Sequence, residues 1–110
     1  MNPTPNTKNN IQVGATNLLV ELELREGYGV LDISSATVKN IIIEQPNSAL
    51  ITSSGSFLTD GTDGILYYRT SPTDLIQAGT YNVQAYIEMP SFIGYSTPTS
   101  FVVYANLPLP

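Results

Sequence analysis

Two pairs of carboxylates come closest to a chemical motif in this sequence. Glu21 and Glu23 stand two residues apart in the stretch Leu18 to Arg25, so on an extended strand both leave from one face. Paired carboxylates can do acid–base work, but only where their surroundings drive the two pKa values apart. Here Leu18, Val20, Leu22 and Leu24 alternate with Leu19, Glu21, Glu23 and Arg25, which puts both glutamates on a wet strand face. A solvated face is therefore expected, not a catalytic pair. The second pair is Asp60 and Asp63, which with Thr62 bring oxygen atoms into the turn Asp60-Gly61-Thr62-Asp63-Gly64. Calcium takes such donors, but this loop is too short for an EF-hand and lacks its bidentate glutamate. A hairpin turn is the favoured reading, with both glycines at positive φ.

The residue types that are missing narrow the chemistry further. The chain of 110 residues contains no His and no Cys. It thus lacks the commonest general base, the commonest metal ligand and any thiolate nucleophile. Serines are plentiful, but Lys8 and Lys39 fall in no Ser-Lys motif, so no hydroxyl has an evident activator. The sequence is read as non-enzymatic, with no catalytic residue, no metal site and no cofactor. Charged residues make up 12% of the chain and the net charge is −5. Lys8, Arg25, Lys39 and Arg69 are scattered, which argues against nucleic acid as a partner. No apolar stretch approaches the length of a membrane span, and Met1 to Asn10 is polar, without the basic start and apolar run of a signal peptide. Synthesis in a cytoplasm without signal-directed export is expected.

What must position any functional side chain is a set of short strands. A chain of this length suits one domain with one core. Period-2 patterns run through Asn10 to Val13, Leu18 to Arg25, Val38 to Gln45, Ala49 to Thr52, Ser56 to Thr59, Ile65 to Thr70, Thr80 to Met89 and Thr99 to Ala105. Ile41-Ile42-Ile43 predicts a strand near the centre of a sheet. In Thr80 to Met89, the residues Tyr81, Val83, Ala85, Ile87 and Met89 share one face. Pro46-Asn47-Ser48 reads as a turn in which Asn takes the left-handed region, and Ser71-Pro72-Thr73-Asp74 as one helical turn capped by a hydroxyl. Gly27-Tyr28-Gly29 and Pro90 to Gly94 read as loops. A flexible arm over 1–10 and an extended proline-rich tail over 106–110 flank the domain at 11–105.

About seven antiparallel strands in roughly a hundred residues is the count expected of an all-β, immunoglobulin-like β-sandwich. One corner sharpens the expectation. In Asp74 to Val83, Tyr81 stands where such folds place a tyrosine whose hydroxyl bonds back to the preceding loop, and Val83 two residues on should enter the core. Tyrosines are also numerous, at seven. Tyr67 and Tyr68 should point to opposite faces with at least one exposed, Tyr86 should face away from the core, and Tyr28, Tyr95 and Phe92 should lie in loops. Tyr28, Tyr68, Tyr86, Tyr95 and Phe92 are candidates for an interface to a protein or, less directly, a surface glycan. Ordinary sheet tyrosines remain the alternative.

The order of several segments resembles a known family. They are Gln12-Val13-Gly14, then Leu31-Asp32-Ile33-Ser34-Ser35-Ala36-Thr37-Val38 leading into Ile41 to Gln45, then Phe57 to Tyr68 through Asp60-Gly61-Thr62-Asp63-Gly64, and last Asp74 to Gln84. Together they resemble the small immunoglobulin-like proteins of tailed bacteriophages, including the N-terminal domain of the baseplate upper protein family. The resemblance implies a virion structural role in a tail, baseplate or capsid surface, with other virion proteins as partners in a multi-copy assembly. It brings no catalytic residues. The baseplate relatives continue into further segments whereas this sequence stops at Pro110, so capsid decoration and a small tail-associated protein stay open. A cellular immunoglobulin-like adhesion or carbohydrate-binding module is the alternative.

Overall fold

Alternating apolar residues at period 2 build eleven short strands, and no helix forms, in the computed structural model, which describes residues 11–27 and 29–107. The strands are β1 (Ile11–Gln12), β2 (Leu19–Glu23), β3 (Arg25–Glu26), β4 (Gly29–Val30), β5 (Val38–Glu44), β6 (Leu50–Ser54), β7 (Ser56–Phe57), β8 (Ile65–Arg69), β9 (Gly79–Met89), β10 (Phe92–Tyr95) and β11 (Thr99–Tyr104). A six-stranded sheet has the order β1-β11-β9-β5-β6, with β10 paired to β9 beyond β11. A three-stranded sheet has the order β2-β8-β7, and β3 and β4 form a small hairpin. All pairings are antiparallel except β1 with β11. The arm over 1–10, Tyr28 and the end of the tail at 108–110 lie outside the described residues.

One core joins the two larger sheets. Val20, Leu22 and Leu66 come from the three-stranded sheet, and Ile41, Ile43, Val83, Ala85, Ile87, Phe101 and Val103 from the six-stranded one; all are buried. The predicted inward face of β9 is buried from Tyr81 to Met89 without exception. β5 is central, flanked by β9 and β6, so its isoleucine run meets sheet neighbours on both sides.

Differences from the sequence reading have local causes. Strand segments outnumber the eight stretches read from period 2 because Leu18 to Arg25 divides into β2 and β3 at Leu24, and β4 and β10 begin in segments read as loops. β6 and β7 are separated by buried Gly55, where the chain leaves one sheet for the other. β10 and β11 both run along β9 but out of step. Tyr95 faces Tyr86 and Thr99 faces Val83, so Ser96, Thr97 and Pro98 stand opposite only Gln84 and Ala85. That extra residue is a β-bulge, a place where Pro98 loses no ladder donor. Ser96 holds it: its N–H donates to the Ala85 carbonyl at 2.9 Å, and its hydroxyl accepts the Ala85 N–H at 2.9 Å. Pro90 to Gly94 is accordingly the tip and start of a hairpin strand rather than a loop.

Two turns also differ in detail. In the Pro46 turn the left-handed residue is Ser48 (φ 71°), while Asn47 uses its side-chain oxygen to accept the Ala49 N–H at 3.0 Å. This is the three-residue hairpin in which a type I turn precedes the left-handed position. Ser71 to Asp74 forms hydrogen-bonded turns, not a helix. The Asp74 carboxylate, not a Ser71 hydroxyl, does the capping, by accepting the Ser71 N–H at 2.7 Å. By contrast, Gly61 and Gly64 both take positive φ, at 90° and 73°. A Cβ on Gly64 would fall 2.7 Å from the Leu24 and Leu31 carbonyl oxygens, so this turn excludes any side chain there.

Candidate interaction surface

The outward face of the six-stranded sheet carries several exposed aromatic and aliphatic side chains. Register places Tyr86 beside Tyr95 and Asn40, Ile93 beside Glu88, and Ile42 beside Gln84 and Thr52. On β11, Phe101 and Val103 point inward, which leaves Val102 and Tyr104 outward and exposed. The Tyr86 and Tyr95 rings meet at 4.9 Å between centroids, tilted by 50°. Ile93 is 68% and Tyr95 61% exposed. No Lys or Arg of the described residues lies on this face. Its acids are already engaged: Glu88 accepts the Tyr86 hydroxyl at 2.6 Å and Glu44 accepts the Asn82 amide at 2.9 Å. That hydrogen bond to Glu88 is the main reason the Tyr86 hydroxyl titrates above its ordinary range.

Phe92 and Tyr95 stand on β10, not in a loop, and so project from a hairpin held by β9. Beside them a cleft of about 470 Å³ opens where the two sheets diverge. One wall is Leu22 to Glu26 with Leu31, and the other is Phe92, Tyr95 and the bulge from Ser96 to Thr99. Within it Glu23 is paired to Arg25 at 2.8 Å. The sequence reading missed Ile93, Val102 and Tyr104. The last two were legible from the alternation around Phe101, while Ile93 was hidden by reading its segment as a loop.

Tyr68 does not belong to this surface. It faces Val20 across the three-stranded sheet and packs against the core, and Tyr67 on the outer side is only half-exposed. The expectation that at least one of this pair is exposed does not hold: Tyr67 is half-buried between Glu21 and Ser56, and Tyr68 packs against the core. The Tyr68 hydroxyl donates to the Asp74 carboxylate at 2.5 Å. Partial burial, then the Asp74 carboxylate, push its pKa up to about 12. Asp74 itself is buried, and the two donors, Tyr68 and the Ser71 N–H, satisfy it. Tyr81 is fully buried and stacks on Phe101 at 5.3 Å; its hydroxyl donates to the Gln77 carbonyl at 2.8 Å and accepts the Gln77 N–H at 3.2 Å. Val83 is buried two residues on. Tyr28 lies outside the described residues.

The carboxylates singled out by spacing stay apart from one another's chemistry. Glu21 faces Tyr67 and Glu23 faces Ile65 on the outer side of the three-stranded sheet. Asp60 accepts the Thr62 hydroxyl at 2.6 Å and the Thr62 N–H at 3.0 Å, which together hold its carboxyl below the usual range. Asp63 accepts the Thr59 hydroxyl at 2.8 Å and the Ile65 N–H at 3.1 Å. These oxygens fasten the turn. Among the described residues, no three acidic, His or Cys side chains converge as a metal site would require. No helix among them is long and apolar enough to cross a membrane. No protein-family model and no curated protein matches the chain.

Proposed function

We propose that this chain is an immunoglobulin-like β-sandwich serving as a non-enzymatic structural part of a tailed-bacteriophage particle, made in the host cytoplasm and built in many copies into its tail, baseplate or capsid surface. The sheet orders support the fold. β7-β8-β2 against β11-β9-β5-β6 follows the strand arrangement of that class, with the extra strand β6 beside β5 and the tyrosine corner at the start of β9. The resemblance of the ordered segments from Gln12 to Gln84 supports the virion assignment.

The observation that carries contact as the function is the outward face of the six-stranded sheet. Protein interfaces concentrate aromatic residues at their centre and deplete charge there. Tyr86, Ile93 and Tyr95 cluster in this way at one end of that face, while Val102 and Tyr104 are exposed toward its other end, Val102 opposite Thr80. Mass spectrometry of purified particles should find the chain at a copy number that is a multiple of the local symmetry, and Tyr95→Ser with Ile93→Ser should deplete it from particles. Recovery only as free protein at substoichiometric levels would count against the structural role. The cleft beside Tyr95, lined by Phe92 and Tyr95 on one wall and by Glu23 and Glu26 on the other, favours a second reading as a glycan-binding adhesion module. Saturable binding on a glycan array, lost in Tyr95→Ser, would select that reading.

A further inference from the structure

We infer that β6 is a self-complementary edge through which two copies of this chain join their six-stranded sheets across a two-fold axis at Thr52. Among the described residues β6 ends the sheet, pairing with β5 on one side only. The hydrogen bonds that flank it set which backbone groups point where. Gly55 donates to Lys39 and Ala49 accepts from Gln45, so Ile51 and Ser53 fall in step with them toward β5. The N–H and C=O groups of Leu50, Thr52 and Ser54 therefore point away from the sheet. The nearest local group is the Ser53 hydroxyl, 3.4 Å from the Ser54 carbonyl, a long and weak contact.

An open ladder of this kind takes another strand. Natural edges are blunted by charge, proline or shortness, and three of the other sheet borders show such devices, while β10 is a shorter uncharged border of four residues. β2 carries Glu21 and Glu23, which an antiparallel copy of itself would bring against like charge. β1 and β7 are two residues long. β6 is five residues, Leu-Ile-Thr-Ser-Ser, with no charge and no proline.

Its sequence also fits its own reverse. Centred on Thr52, an antiparallel copy sets Thr52 opposite Thr52, and Leu50 opposite Ser54 in both directions. All three outward residues then find partners of matching spacing. Leu50, 65% exposed, gains cover from the copy. An isologous contact of this type closes as a dimer and leaves no further edge to grow. The chain carries a net charge of −5, and an uncharged edge lets two copies meet without setting like charges against each other.

The chain has no Cys, so single cysteines report the register directly. A hydrogen-bonded antiparallel pair holds its Cα atoms about 5.5 Å apart, within disulfide reach. Thr52→Cys should therefore cross-link to itself on mild oxidation. Leu50→Cys alone and Ser54→Cys alone should not, since four residues of strand, roughly 13 Å, separate each from its own copy. A mixture of those two should cross-link. Sedimentation of the unmodified chain should show a monomer–dimer equilibrium, and Thr52→Lys, exposed and outside the core, should weaken it at least roughly tenfold by setting like charges face to face. Tyr95→Ser, on the sheet face, should leave it unchanged. A chain that stays monomeric up to millimolar concentration, or cross-linking at Thr52→Cys no faster than at Ser100→Cys, would overturn the inference. So would a dimer lost in Tyr95→Ser but kept in Thr52→Lys, which would move the contact to the sheet face.

Discussion

The two larger sheets share a core but present opposite chemistries to solvent. The three-stranded sheet sets Glu21, Glu23 and Arg69 outward beside Leu19 and Tyr67, a face that water holds by hydrating its charges. The six-stranded sheet sets Tyr86, Ile93, Tyr95, Val102 and Tyr104 outward, and its two glutamates are already hydrogen-bonded within the sheet. Removing the first face from water strands ions, whereas removing the second strands little. The inner faces cannot differ in this way, since both meet the same core. The outward residues are thus where the sheets are free to specialise, and the difference marks which of them can be covered at the lower cost in desolvated charge.

The comparison is broken most directly by testing whether an outward residue acts like an inward one. Leu66 is fully buried on β8, and Leu66→Ala should cost about 2–5 kcal/mol through lost transfer energy and the cavity left behind. Tyr95→Ser should change stability by no more than about 0.5 kcal/mol, as a surface substitution does. Denaturant titration of both variants measures this. A Tyr95 variant as destabilised as the Leu66 variant would make the aromatic face part of the scaffold and not a binding surface.

The next effect concerns how the two sheets are fastened to their shared connection. Each sends one tyrosine hydroxyl to the segment between β8 and β9: Tyr81 to the Gln77 backbone and Tyr68 to the Asp74 carboxylate. Tyr81 is the fully buried one, so Tyr81→Phe should cost about 1–2 kcal/mol by leaving Gln77 groups unpaired. An unchanged midpoint in urea would show that water replaces the hydroxyl.

Much of this frame was legible in the chain. Period 2 from Tyr81 to Met89 identified an inward face because every other residue there is apolar, and the spacing of Tyr81 and Val83 located the corner. What escaped was long-range. The bulge at Ser96 to Pro98 depends on β10 and β11 pairing with one strand out of step, and no local pattern encodes that offset. Tyr68 looked available because adjacent residues alternate, but which of two faces is inner depends on β2 lying across from it. Asp74 resembled the end of a capped helical turn. Its real role, accepting Tyr68 and Ser71 together, needs a tyrosine six residues back to fold over it.

Tyr68 offers a smaller test, read in pH. Its folded-state pKa is raised to about 12 from the ordinary 10, so its contribution to stability is complete below pH 10 and is lost as pH rises through 12. Ionisation also sets a phenolate against Asp74, which breaks the tie from the three-stranded sheet. The ring is only partly buried, so solvent reduces the effect. Ultraviolet titration should show one tyrosine fewer ionising late in Tyr68→Phe, and that variant should lose less stability between pH 10 and 12 than the unmodified chain. Equal losses in both would place the alkaline transition elsewhere.

The smallest effect is expected from calcium at the Asp60 turn. The turn has the donors for a hard cation, but Asp60 already accepts two bonds from Thr62, and Asp63 accepts from Thr59 and Ile65. Binding a cation would have to displace these, and with them the contacts that fix Gly61 and Gly64 in the turn. Even a dissociation constant of about 1 mM would stabilise the fold by only about 0.4 kcal/mol at 1 mM free ion, because only the folded state offers the site. For a domain near this size that is a rise of roughly 2 °C. Melting curves with 1 mM calcium and with chelator should therefore agree within that margin. A larger rise that chelator reverses, and that Asp60→Asn removes, would mean the turn rearranges around the ion. The charged side of the molecule would then hold a binding site of its own, and the contrast between the two sheets would no longer be one of contact against solvent.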